Sequence, residues 1–135
     1  MTDTQNAMEE LPEERCWALL DAAEVGRLAV VVDSAPDIFP VNHVVVGRSV
    51  VWRTAAGTKL FAAEGDEVAY EVDGTDDEGR AWSVVAKGVA QEVDDEVVAE
   101  AATRALHPWL DSEKQHVLAV VRPSVTGRRF RVAAS

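Results

Sequence analysis

The chain has 135 residues, 47 % of them hydrophobic and 27 % charged, a usage that excludes wholesale disorder, collagen and coiled coil and leaves one folded domain burying about two thirds of its unfolded surface. With 13 Lys and Arg against 24 Asp and Glu, the net charge is −11, a field that repels nucleic acid at long range. No apolar run approaches the roughly 20 residues of a membrane span, residues 1–10 lack the basic and apolar regions of a signal peptide, and the single cysteine, Cys16, has neither a disulfide partner nor metal-ligand spacing, so a cytoplasmic protein without membrane or structural-metal partners is expected.

Residues 1–10 are polar and read as a flexible arm ahead of a single domain over 11–135. Pro12, Glu13 and Glu14 put a proline and two acids at a helix start, Trp17, Leu20 and Ala23 share one face, and Gly26 stops the helix or opens a strand. The run 25–32 is a first strand, ended by the turn cluster Asp33-Ser34-Ala35-Pro36. Runs 39–46 and 49–53 form a hairpin across Gly47-Arg48. Thr54-Ala55-Ala56-Gly57 breaks the pattern, and 58–63 forms a short helix capped by Thr58 and stopped by Gly65.

Strand character resumes over 68–73 and, after the acidic glycine-bounded stretch 74–79, over 81–93, a second hairpin. Acids at 94–96 start a helix from about Asp95 to Leu106, closed by Pro108. Runs 116–121 and 128–132 are closing strands around a turn at 123–127. About seven strands joined mainly by short turns, with three helices, predict a mainly β fold: an antiparallel barrel with peripheral helices. No G-x-G-x-x-G follows the first strand, which disfavours a Rossmann domain.

The segment with most chemistry is Arg53-Thr54-Ala55-Ala56-Gly57-Thr58-Lys59-Leu60, where a strand passes through a small-residue loop into a helix start. Free N–H groups, two hydroxyls, Arg53 and Lys59 outline a phosphate pocket, in a chain where cations are scarce. The Walker order is absent. The plainer reading makes Thr58 a structural cap and Lys59 a solvated cation. In Phe39-Pro40-Val41-Asn42-His43, Asn42 interrupts an apolar run and either finds partners in the wall or faces a ligand; His43 is either a satisfied wall residue or a group titrating near neutrality. Trp82-Ser83 sets an indole beside a hydroxyl, suited to the border of a flat ring or to core packing. Arg128-Arg129 is a second anion-binding element or edge-strand charge. No Ser/His/Asp set is present, since His107 and His116 lie far along the chain.

Taken in order, Cys16-Trp17, Val25-Gly26-Arg27-Leu28-Ala29-Val30, Phe39-Pro40-Val41-Asn42, the 53–60 segment, Glu71-Val72-Asp73, Trp82-Ser83-Val84-Val85 and Thr126-Gly127-Arg128-Arg129 resemble the pyridoxamine 5′-phosphate oxidase-like flavoproteins. That resemblance implies the FMN-binding split β-barrel, a homodimer with flavins at the subunit interface, and an oxidoreductase passing electrons from a nicotinamide donor to a small acceptor. It implies that Thr54, Thr58 and Lys59 hold the FMN phosphate with Arg53 beside them, that Pro40, Val41, Asn42 and His43 run along the flavin ring and contribute largely through backbone groups, and that Ser83 meets the ring's pyrimidine edge with Trp82 near it. The vitamin oxidases carry an arginine in the strand that here reads Val41-Asn42-His43-Val44 and a late tryptophan and arginine; this chain has neither pattern, so vitamin oxidation is not implied. Within the same superfamily the alternatives are a deazaflavin-dependent reductase and a non-enzymatic flavin or haem carrier, the latter with His43, His107 or His116 as axial ligand.

Overall fold

β-Branched runs set most of the architecture in the described residues, 8–55, 57–105 and 115–131 of a computed structural model. In chain order the elements are β1 (Glu9–Glu10), α1 (Glu13–Ala22), β2 (Val25–Val32), β3 (Ala35–Asn42), β4 (Val44–Val46), β5 (Ser49–Ala55), α2 (Lys59–Ala62), β6 (Glu67–Thr75), β7 (Arg80–Glu92), α3 (Glu96–Ala105), β8 (Gln115–Val121) and β9 (Ser124–Arg131). The sheet runs β3-β2-β6-β7-β8-β5-β4, with β9 on β7 and β1 on β9. It curls into the antiparallel split barrel expected from the sequence.

The long strand β7 makes the curl possible by serving two partners on one edge. Residues Arg80 to Lys87 pair with β9, and Ala90 to Glu92 pair with β8. The changeover falls at Gly88, where a Cβ would come 2.7 Å from Val120 Cγ1. Inside the barrel, alternate residues supply a core that includes the fully buried Leu28, Trp52, Tyr70, Val84 and Leu118, closed from one side by Cys16, Trp17 and Leu20 of α1. On the outer side of β5 and β8 a smaller cluster of Val51 and Ala119 is covered by Val98 of α3, whose start is capped by the Asp95 carboxylate, 2.9 Å from Val97 N.

The run expected as one strand over 39–46 is split at His43, its first part pairing with β2 and only β4 forming the hairpin with β5, and three further boundaries differ through pairing. The strand expected to begin at Phe39 begins at Ala35, because Asp33 and Ser34 alone make the turn, both with positive φ. Pro36 and Pro40 fit because β3 is an edge strand, where a missing N–H costs no ladder bond. The run 123–127, expected as a turn, mostly belongs to β9: Ser124 to Gly127 pair with Val84 to Lys87, and the turn sits at Arg122, φ 51°. Glu9 and Glu10, assigned to the arm, pair with Arg129 and Arg128.

Candidate functional site

The loop between β5 and α2 closes on itself through hydroxyls. Thr54 and Thr58 Oγ1 lie 2.8 Å apart, Thr58 donates to Ala55 O at 2.8 Å, and Thr58 accepts from Phe61 N at 3.1 Å, the helix cap expected from the sequence. A hydroxyl has one proton and two lone pairs. With its proton on Ala55 O and its lone pairs facing Phe61 N–H and Thr54 O–H, Thr58 is satisfied within the loop. Its part is to shape the corner; the Thr54 hydroxyl, 5 % exposed, gives its one proton to Thr58 Oγ1 and reaches a ligand only by exchanging that bond.

Lys59 contributes the charge. Its Nζ lies 2.9 Å from Asp37 Oδ2 of β3, with side chains 61 % and 36 % exposed. A pair so open to solvent is worth roughly 0–1 kcal/mol, so exchanging Asp37 for another anion costs little. Asp37 was not singled out from the sequence; it follows a turn cluster, and only β3 beginning at Ala35 carries it to the corner. Arg53 departs from the expected set. Alternation along β5 sends Thr54 inward with Trp52 and Arg53 to the other face with Val51. Because α2 is a single turn of four residues, the donors at this corner are side chains rather than a helix dipole.

Opposite Thr54 in the ladder stands His116 of β8. Its Nδ1 lies 2.6 Å from Glu92 Oε2 of β7, and its ring centroid is 4.6 Å from that of Phe61 in α2. A carboxylate only accepts, so Nδ1 carries the proton.

The His43 side chain is the satisfied wall residue, one of the two readings its sequence position allowed. It is 4 % exposed, with Nε2 2.8 Å from Leu20 O and Nδ1 2.5 Å from Tyr70 Oη. Both nitrogens are committed inside the protein, which removes His43 as a haem ligand and as a side-chain contact for a cofactor. Burial pushes its pKa below the usual histidine value and pushes the Tyr70 phenol above its own. Tyr70 Oη also lies 2.9 Å from Val41 O; the neutral imidazole gives its one N–H to Leu20 O, so the single phenol proton is shared between His43 Nδ1 and Val41 O, and Val41 is itself buried. Pro40 and Asn42 alternate to the outer face, beside Arg27 and Val25 of β2. His107 lies outside the described residues.

Trp82 and Ser83 sit elsewhere on the sheet. Asp37 pairs with Val30, next to Ala29, which is level with Ala69 and Lys87. Ser83 is four residues from Lys87, so roughly 13 Å along and three strand spacings, roughly 14 Å, across the sheet from the corner's level. Ser83 pairs with Asp73 and Arg128. Trp82 lies over Gly74, where a Cβ would come 2.8 Å from its ring. Arg129 is bonded to Glu9 at 2.7 Å. One chain therefore brings together Thr54, Thr58 and Lys59, and leaves Pro40, Asn42, Trp82 and Ser83 on other parts of the surface. The outer face of β2 and β3 between them exposes Val25, Val31 and Ile38 at 54 %, 55 % and 66 %.

The family model described as pyridoxamine 5′-phosphate oxidase matches residues 12–129. The uncharacterized protein Rv0080 of Mycobacterium tuberculosis is 37 % identical over 128 residues, covering 90 % of this chain and 84 % of that one. Among solved structures, the FAD binding protein from Mycobacterium smegmatis is 42 % identical with a TM-score of 0.82, covering 93 % of this chain and 100 % of that one. An FAD-binding protein from Mesorhizobium loti shares the fold at 22 % identity and a TM-score of 0.79, over 92 % and 97 % of the two chains.

Proposed function

Because the chain belongs to the pyridoxamine 5′-phosphate oxidase family, we propose that it is a flavin-dependent oxidoreductase that holds its flavin by the 5′-phosphate at the corner of Thr54 and Lys59. The observation that carries this reading is the donor set: a solvent-open ammonium in a strongly acidic chain, tethered by Asp37, on the turn whose Thr58 cap is bonded to the Thr54 hydroxyl. Ammonium plus hydroxyl is the chemistry an anionic phosphate requires. FMN and FAD share the phosphate next to the ribityl chain, so the FAD-binding M. smegmatis relative supports the corner as well as FMN does.

The bound flavin would supply the redox chemistry, taking electrons from a nicotinamide donor and passing them to a small acceptor. The chain's own residues bind and orient. Lys59 and Thr54 fix the phosphate; Thr58, spent on its cap, keeps the loop in shape; the β3 backbone around Pro40 to Asn42 lines the ring's side. Trp82 and Ser83 act through a second copy: the distance between them and the corner, together with the apolar outer face of Val25, Val31 and Ile38, supports a homodimer whose two sites each draw on both chains. Oxidation of pyridoxamine phosphate, in which that amine would be the electron donor, is not part of this reading, since the arginine and tryptophan pattern that goes with it is missing.

Titration with FMN, FAD and riboflavin tests the proposal. Wild type should bind both phosphorylated flavins and favour FMN over riboflavin. Lys59→Ala should weaken FMN by about 10- to 100-fold, the loss of one charge-assisted contact, and leave riboflavin nearly unchanged. Equal loss for both would place the phosphate elsewhere, and preference for a deazaflavin in direct competition would replace the flavin.

A further inference from the structure

The corner's donors ride on a helix too short to hold itself. One hydrogen-bonded turn does not offset the cost of its own nucleation, so the direction of α2 (Lys59–Ala62) is set by what its flanks touch. Thr58 closes one end, and Leu60 and Phe61 pack against the core. Past the other end, Gly65 N bonds to Ala90 O at 2.7 Å and Ala90 N to Asp66 O at 3.0 Å; on the side, His116 meets the ring of Phe61 at a centroid distance of 4.6 Å and a 44° tilt. That imidazole is itself tethered: Glu92 Oε2 takes its Nδ1–H at 2.6 Å. Glu92 lies at the end of β7 that pairs with β8, where the strand has left β9. His116 is also the cross-strand partner of Thr54, so its Cβ stands about 5 Å from that of Thr54, on the same face. One side chain thus borders both groups assigned to the phosphate, Thr54 by the ladder and the Lys59 turn through Phe61.

We propose that His116, oriented by Glu92, is a positioning residue for the phosphate corner: it fixes α2 and the Thr54 edge so that the Lys59 ammonium and the Thr54 hydroxyl converge on one anion. This rests on the flavin reading above. It gives the histidine a part distinct from haem ligation and assigns a task to Glu92, which has no place in the corner itself. A tether of this kind acts by pre-organisation, lowering the ordering cost that the ligand would otherwise meet on binding.

The test uses the full chain and two probes, FMN and riboflavin, with amide hydrogen exchange of the flavin-free protein. Glu92→Ala should weaken FMN about tenfold and riboflavin less than twofold, and should speed exchange at the Ala62 and Ala63 amides, which bond to Thr58 O and Lys59 O. Glu92→Gln, which still accepts the Nδ1–H, should restore both. His116→Phe keeps a ring against Phe61 without the tether and guards against simple collapse; it should resemble Glu92→Ala. In Lys59→Ala, adding Glu92→Ala should cost FMN little more, because both act through one ammonium. If wild type binds FMN and Glu92→Ala matches it, or if FMN and riboflavin weaken together, the positioning proposal is overturned while the flavin reading stands. If wild type binds no flavin, the flavin reading falls and this proposal falls with it.

Discussion

Replacing Gly26 with alanine separates local propensity from packing, because the two predict opposite signs. Gly26 lies in β2 with no positive φ, and by propensity alone alanine should stabilise a strand position by roughly 0.5–1 kcal/mol. In the fold, however, a Cβ there would stand 2.4 Å from Tyr70 Cζ and 2.5 Å from its Oη. The ring has nowhere to go. It is fully buried, stacked 3° from parallel on Trp52 at 6.4 Å, and its hydroxyl is anchored to Val41 O and His43 Nδ1. Overpacking costs about 1–3 kcal/mol, and a ring displaced enough to admit the methyl leaves buried polar groups short of a partner, about 1 kcal/mol or more. The net expectation is destabilisation of about 3 kcal/mol, or a fall in Tm of about 10 °C for a domain of this size. Thermal unfolding by circular dichroism reads it directly, and a Tyr70→Leu background, which removes the obstructing ring, should abolish most of the cost. A Gly26→Ala protein within about 2 °C of wild type, or one whose loss persists in that background, would refute the packing argument.

Two further outcomes follow from the same groups. Asp37→Asn should leave stability nearly unchanged, since the exposed pair with Lys59 contributes at most about 1 kcal/mol, and should tighten FMN by up to about fivefold in an equilibrium titration, because the phosphate no longer competes with a carboxylate. The His43 imidazole, held below its ordinary 6.5 by burial, makes stability depend on pH. Its unfolded form takes a proton first as pH falls, so its contribution is intact above about 6.5 and is lost on acidification from there toward the lower folded value. Glu9 and Asp76, whose carboxyls are lowered by Arg129 and by the Arg80 backbone N–H respectively, lose theirs only below about 4.5. Tm measured from pH 8 to pH 5 should therefore fall in wild type, and the fall should shrink in His43→Asn.

Within a segment, the amino-acid order determined a great deal here. The largely apolar, valine-rich run at 25–32 is β2 residue for residue, the Thr58 cap is where the hydroxyl before a helix start predicted it, and the ordered motifs led to the family that the comparison found. These properties are local: a side-chain period, a cap and a two-residue turn each involve neighbours a few positions apart.

Only the tertiary structure decided which residues share a space. Edge position let Pro36 and Pro40 sit in a strand, and close approach of Cys16 Sγ, 2.5 Å from where a Cβ would lie, explains a glycine at 127 inside β9 rather than in a turn. Strand alternation, once the register was set, sent Thr54 and Arg53 to opposite faces and drew His43 into a buried bond with Tyr70, 27 positions away. Asp37 met Lys59 across 22 positions, and Glu92 met His116 across 24. Contacts at such separations depend on how the sheet curls and where β7 changes partner, and a linear pattern of side chains carries no record of that curvature.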